Sequence, residues 1–249
     1  MYPEISLGPV TVQTFGLMFA LSFVAAGWLV ALRLRELGKP VDWSYEMVLA
    51  AAVGGLIGSK LWFAVEQGEL DFGQLFSGSG LVWYGGLLGG ALAVVIYARY
   101  RGMLNLQLLD ITAPGLALGY AVGRIGCQLS GDGDYGEQWD GPWAMGYPDG
   151  TVPTLPGETV HPTPVYETLA MFAVAALLWR WRDRFTEGML FALYLMLAGL
   201  ERFLVEFVRR NDAALAGLTT AQLFSLAMIG VGAAMWLRLS PPKAPEPAR

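Results

Sequence analysis

At 249 residues, 55% of them hydrophobic and 15% charged, with a mean hydropathy of +0.46, this chain is too apolar for a soluble domain, in which about a quarter of residues carry charge. A formal net charge of −5 with no basic patch or stripe argues against a nucleic-acid partner, and a single cysteine, Cys127, excludes an internal disulfide framework. The first ten residues hold no Lys or Arg, so no cleavable signal peptide is expected.

In chain order, seven apolar segments reach the ~20 residues that a helical crossing of a bilayer requires: 13–34, 44–65, 80–100, 107–128, 163–181, 187–208 and 218–238. The predicted fold class is an all-α membrane protein of seven transmembrane helices. Residues 1–240 form one integral membrane domain, and the Pro-rich stretch 241–249 a disordered tail. The basic residues set the orientation. Arg33, Arg35, Lys39, Arg99, Arg101, Arg180, Arg182, Arg184, Arg238, Lys243 and Arg249, eleven of the sixteen, fall on one side. The 66–79 and 129–162 loops on the other side have none, so the N-terminus is expected outside and the C-terminus in the cytoplasm.

Small residues recur at helix-packing spacing: Gly54, Gly55 and Gly58 on the second segment, Gly85, Gly86, Gly89 and Gly90 on the third, Gly115, Gly119 and Gly123 on the fourth. Packing accounts for most of them. Gly85 and Gly86, beside Trp83 and Tyr84 near the outer interface, also offer backbone to a lipid headgroup. The long outer loop between the fourth and fifth spans, about 129–162, is rich in Gly, Pro and Trp and reads as a compact cap, with Trp139, Trp143 and Tyr147 at headgroup level.

Charges inside the apolar segments point to a site, because an arginine at a membrane helix centre costs about 2.5–3.5 kcal/mol on insertion scales. Arg124 ends the fourth segment, just before the acidic, glycine-rich run Ser130–Gly136. On the sixth, Arg202, Glu206 and Arg209 stand at i, i+4 and i+7 and share a helix face. Two arginines against one carboxylate leave that face net positive, which suits a phosphate, whose oxygens a planar guanidinium meets bidentately. Arg124 and Arg202, from different helices at similar depth, form a candidate phosphodiester clamp. His161, the only histidine, is a candidate proton-transfer group held between prolines. Thr163 is placed to cap the helix that follows, and Glu167 is expected to be paired. Asp110 reads as a helix-terminal charge, Lys60 as structural, and Cys127 as a small buried apolar residue.

Together these features resemble the bacterial prolipoprotein diacylglyceryl transferase family. The resemblance runs from Leu7 to about Leu237, through Leu7-Gly8-Pro9-Val10 with Phe15-Gly16-Leu17-Met18, Trp83-Tyr84-Gly85-Gly86-Leu87-Leu88-Gly89, Gly123-Arg124-Ile125-Gly126, His161-Pro162-Thr163-Pro164-Val165-Tyr166-Glu167, Arg202-Phe203-Leu204-Val205-Glu206-Phe207-Val208-Arg209, and Gly217-Leu218-Thr219 with Gln222. It implies a multi-pass enzyme of the bacterial inner (cytoplasmic) membrane. Such an enzyme moves the diacylglyceryl group of phosphatidylglycerol onto the lipobox cysteine of a preprolipoprotein, forming a thioether and releasing glycerol phosphate. The implied partners are those two substrates and membrane lipids, with no cofactor and no metal. The family's signature arginine falls on Arg124 and that of its sixth span on Arg202, with Glu206 and Arg209 as its ion-paired residues.

The chain departs from the pattern at five positions. Cys127 and Ser130 stand where the family has asparagine, Asp132 where it has glutamate, Tyr84 where many members have histidine, and Phe15 where it has tyrosine. Its closing glycine aligns with Gly136 only after one inserted residue. Candidate catalytic residues are thus Arg124, Arg202, Asp132, Tyr84 and His161, with Asp134 a further possible base. Candidate substrate-binding residues are Arg124, Arg202, Glu206, Arg209, Gly85 and Gly86. A family member acting on another phospholipid or acceptor, and a non-catalytic lipid-binding or transport protein, are the alternatives.

Overall fold

The computed structural model describes residues 1–8, 10–67 and 83–240; Pro9, the 68–82 stretch and the tail lie outside. Among the described residues the chain forms a hairpin, β1 (Glu4–Leu7) and β2 (Val10–Gln13), and α-helices α1 (Thr14–Glu36), α2 (Asp42–Gln67), α3 (Trp83–Tyr100), α4 (Leu106–Ser130), α5 (Thr163–Arg180), α6 (Met189–Val205) and α7 (Thr220–Leu239). Three helical stretches, Thr14–Glu36, Asp42–Val65 and Thr220–Leu239, are long and apolar enough to cross a membrane. Their outward faces are apolar too: Val24, Leu49, Leu56 and Val231 are exposed, the reverse of a soluble surface. The chain is a helical membrane protein. The hairpin, antiparallel with Glu4 opposite Gln13, was not foreseen; it is too short to show an alternating pattern.

The chain divides into two compact units, Gly27–Leu108 and the remainder. In the first, α2 and α3 meet backbone to backbone. A Cβ on Gly58 would lie 2.3 Å from the Gly85 carbonyl oxygen, and one on Gly89 2.4 Å from that of Gly54. A Cβ on Gly85 would meet the Gly58 oxygen at 2.4 Å, and one on Gly86 the Ser59 hydroxyl at 3.2 Å. The glycine repeat is thus a packing seam. Gly85, expected to meet a headgroup, is buried against α2, and Gly86 is partly covered by it. Gly58→Ala should destabilise the solubilised protein by about 1–3 kcal/mol through overpacking. Gly230→Ala, on α7 with nothing within 4 Å, should be neutral or stabilising by up to about 1 kcal/mol through helix propensity. Thermal unfolding of the two variants in one detergent checks the opposite signs.

In the second unit, Ala113, Ala117 and Ala121 of α4 pack against Met171, Ala175 and Leu178 of α5 and Leu190 and Ala198 of α6. This shared side-chain core ties the three helices together, and with them the ends that bear the site. Asp110 accepts hydrogen bonds from the backbone N–H groups of Gly188 (2.7 Å) and Phe191 (2.8 Å). It therefore caps α6 rather than its own helix. The 131–162 loop is built of turns and isolated bridges around a stacked Tyr135–Tyr147 pair, 4.8 Å between centroids. Tyr147 is fully buried and donates to the Gln128 side chain at 2.9 Å, so it is the loop's core and not an interfacial ring; Trp143 is exposed.

Candidate active site

Three interruptions of helix create the site. α4 stops at Ser130, where Gly131 adopts a left-handed φ of +59° and its N–H closes on the Cys127 carbonyl at 2.9 Å. α6 stops at Val205, tightens into a 3-10 turn over Glu206–Val208, and leaves Arg209 extended at φ −90°, ψ 157°. The single helix face expected for 202, 206 and 209 therefore does not persist. The chain leaves the helix there because backbone partners outside it are available: Glu137 donates its N–H to the Val208 carbonyl at 2.8 Å, and Gly136 bridges to Arg209. A Cβ on Gly136 would lie 2.2 Å from the Val208 oxygen, so glycine is what lets the acidic loop come this close. The third interruption is the start of α5. Thr163 does not cap it as expected: its hydroxyl donates to the Asp134 carbonyl, and Pro164 sits in the first turn, where a missing N–H costs nothing.

These ends bring three arginines and three carboxylates together. Glu167, from α5 and fully buried, is the hub. It lies 3.3 Å from Arg124 Nε and 3.4 Å from Arg202 Nη1 and from Arg209 Nη1, and it accepts the Tyr120 hydroxyl at 2.8 Å. Glu206, also buried, pairs with Arg202 at 2.7 Å and lies 3.8 Å from Arg209 Nε. Its other oxygen accepts from Asn211 and from Thr219, both at 2.7 Å. Thr219 forms a capping box with Gln222 at the start of α7, which gives the quoted Thr219/Gln222 pair a physical reason. Asp134 bridges Arg124 and Arg209, one carboxylate oxygen to each. Arg124 also lies over the Tyr120 ring, 5.0 Å from its centroid.

Arg124, Arg202, Glu206 and Arg209 thus converge. Two members of the cluster carry more weight than the sequence reading gave them. Glu167 was expected only to be paired, and Asp134 only as an alternative base. The expectation of a net positive face is corrected: three guanidiniums meet three carboxylates, because α5 and the loop after α4 contribute one each. Asp132 makes no ion pair among the described residues; one of its oxygens accepts the Asp134 N–H at 3.2 Å. Burial, with Asp134 alongside, pushes its carboxyl above the ordinary range. Burial also works to raise Asp134, but Arg124 and Arg209 outweigh it and hold that carboxyl down at about 2.

His161 is apart from the arginines in its contacts. Its ring stacks on Trp139 (4.4 Å, 10° between planes), and Nδ1 is 3.3 Å from the Tyr166 hydroxyl, which accepts from Trp143 Nε1 at 2.7 Å. These rings, with Leu200, Leu204 and Glu201, line an open cavity of about 570 Å³. Tyr84 heads α3 in the other unit, and its side chain lies outside the described residues. Cys127 is buried; its sulfur lies 3.7 Å from Arg124 Nη1 and 3.5 Å from Asp134. Cys127, Asp132 and Asp134 offer ligand atoms within 4.8 Å of one another. As a metal site they are unsuited, since Asp134 is already committed to two arginines whose charge opposes a cation.

The sequence comparisons agree on one family. Residues 4–238 match the profile of prolipoprotein diacylglyceryl transferase. A phosphatidylglycerol–prolipoprotein diacylglyceryl transferase of Chromohalobacter salexigens is 34% identical over 96% of this chain and 95% of its own length. Enzymes of the same name from Dehalococcoides mccartyi (34% identical, 91% of this chain, 88% of the relative) and Azotobacter vinelandii (35%, 94% of each) are similarly related. With its arginine signature and near full-length similarity, this chain belongs to the prolipoprotein diacylglyceryl transferase family.

Proposed function

We propose that this protein transfers the diacylglyceryl group of phosphatidylglycerol to the lipobox cysteine thiol of a preprolipoprotein. The carbon–oxygen bond to phosphate breaks as a carbon–sulfur bond forms, glycerol phosphate leaves, and the thiol proton passes to a base. The observation that carries the reading is the convergence of Arg124, Arg202 and Arg209 where three helix ends meet, in a chain with this family's sequence. The leaving phosphate needs such preorganised positive groups. The thiolate is the nucleophile, and cations beside a thiol favour it. Asp132 is the carboxyl best suited to accept the proton. It lies near Arg124 with no ion pair to it among the described residues, whereas Asp134 is held too acidic to act as a base.

The same reading sets the protein in a bacterial inner membrane with seven crossings, N-terminus outside and the 129–162 loop on the outer face. The basic residues on the opposite side support that orientation. In it the arginine cluster sits at the outer leaflet, where both lipid and exported peptide are within reach.

Purified protein incubated with labelled phosphatidylglycerol and a lipobox peptide should yield a thioether-linked peptide and free glycerol phosphate. Lipid binding without product would favour the non-catalytic reading. Cys127→Ser should leave the yield largely intact, because the reacting cysteine belongs to the substrate. Loss of product in a normally folded Cys127→Ser protein would point to a covalent enzyme intermediate.

A further inference from the structure

The arginines are matched one for one, yet their three carboxylates are not equivalent. Glu167 and Glu206 have no exposed side-chain surface and project from a helix and a 3-10 turn. The Asp134 side chain is 33% exposed and sits on a loop, just after Gly133 at a left-handed φ of +94°. Its two oxygens go one to Arg124 and one to Arg209, the way two oxygens of a phosphate would. We propose that Asp134 is an internal stand-in for the substrate phosphate, occupying the Arg124–Arg209 seat until a phosphodiester headgroup displaces it.

This deepens the reading above and rests on its assignment of the arginines to phosphate. With Asp134 seated, the formal charges of the cluster cancel. With it displaced, three guanidiniums face two carboxylates, and the single positive charge left matches a phosphodiester. The product differs: a phosphate monoester carries about −1.5 to −2 charges at pH 7. It overfills the seat, and the returning Asp134 carboxylate competes with it. The loop therefore discourages anion binding at rest and favours release of glycerol phosphate after transfer. Asp132, two residues earlier in the Gly131–Gly133 turn and with no arginine ion pair among the described residues, cannot play this part.

The test uses the full chain in nanodiscs and reads the dissociation constant for soluble glycerol 1-phosphate by calorimetry. A seat that is free in only about a tenth of molecules weakens apparent affinity about tenfold, so Asp134→Asn should bind about tenfold tighter than the unsubstituted protein. Asp134→Glu should stay near the starting affinity, and Asp149→Asn, at an exposed carboxylate of the same loop outside the cluster, within about threefold of it. An equal gain in Asp149→Asn would mean that diffuse charge is responsible and would overturn the proposal, as would an unchanged or weaker Asp134→Asn. Nanodiscs with and without phosphatidylglycerol separate the two anion sources: headgroup lipid in the disc should raise the apparent constant for the soluble phosphate. A second readout needs no variant. Saturating glycerol 1-phosphate should speed amide hydrogen exchange at residues 133–135, and no change there overturns the displacement. Failure of thioether formation alongside these results would sink the transferase reading and leave the anion seat standing; product formation without them would do the reverse.

Discussion

Arg124→Ala should lower thioether formation by about a hundred- to a thousandfold, the usual cost of deleting one preorganised donor to a developing charge. The guanidinium is fixed by Glu167 at Nε (3.3 Å) and by the Tyr120 ring 5.0 Å beneath it, which leaves Nη1, held by Asp134 at rest, for the phosphate. A side chain so held needs no reorganisation when the phosphate becomes a leaving group. Its removal also reverses the local balance, leaving three carboxylates against Arg202 and Arg209, which repels an anion. Arg124→Lys restores the charge without the planar fork and should recover only part of the loss. Single-turnover assays with lipobox peptide at saturating phosphatidylglycerol check this, with unfolding temperature measured in parallel. Activity within about tenfold of the starting protein in a folded Arg124→Ala would remove that arginine from the leaving-group role.

Much of the arrangement is legible in the sequence, for identifiable reasons. Helices announce themselves through apolar length, and an arginine such as Arg124 stands out because charge in that setting is costly. The α2–α3 seam is legible because glycines four residues apart have few other uses in an apolar helix. Less visible is anything set by where a helix stops. The spacing of 202, 206 and 209 assumes continuous helix, whereas the chain leaves it after Val205 to hydrogen-bond with the loop at Glu137. The net charge of the cluster is hidden for a related reason: the balancing carboxylates are 33 residues apart in the chain, Asp134 and Glu167, and neither shares a helix with the arginines it meets. Gly136 carried the one available hint. A glycine between acidic and aromatic residues at the end of the signature marks a close backbone approach, and that approach delivers Asp134 to Arg209.

Glu167→Ala should cost about 3–5 kcal/mol of stability, the range found when one member of a buried ionic cluster is removed and its partners stay charged. The three arginines would be left with two carboxylates, and the Tyr120 hydroxyl would lose its 2.8 Å acceptor in a region with no exposed surface on Glu167 to admit water freely. For a chain of this size that corresponds to a fall of roughly 6–20 °C in unfolding temperature. Glu46→Ala provides the contrast: it removes a 3.0 Å pair with Arg101 between two partly exposed side chains and the acceptor of the Tyr97 hydroxyl, for which about 1–2 kcal/mol is expected. Glu167→Gln keeps an acceptor for Tyr120 but not the charge, so the gap between it and Glu167→Ala apportions the loss between hydrogen bond and ion cluster. A double variant, Glu167→Ala with Arg124→Ala, rebalances the formal charge at two against two. If the cluster is held by its charge balance, the pair should be less destabilised than the sum of the single variants by about 1–3 kcal/mol. Strict additivity would mean instead that Glu167 stabilises α5 by packing alone, and that the arginines tolerate its absence.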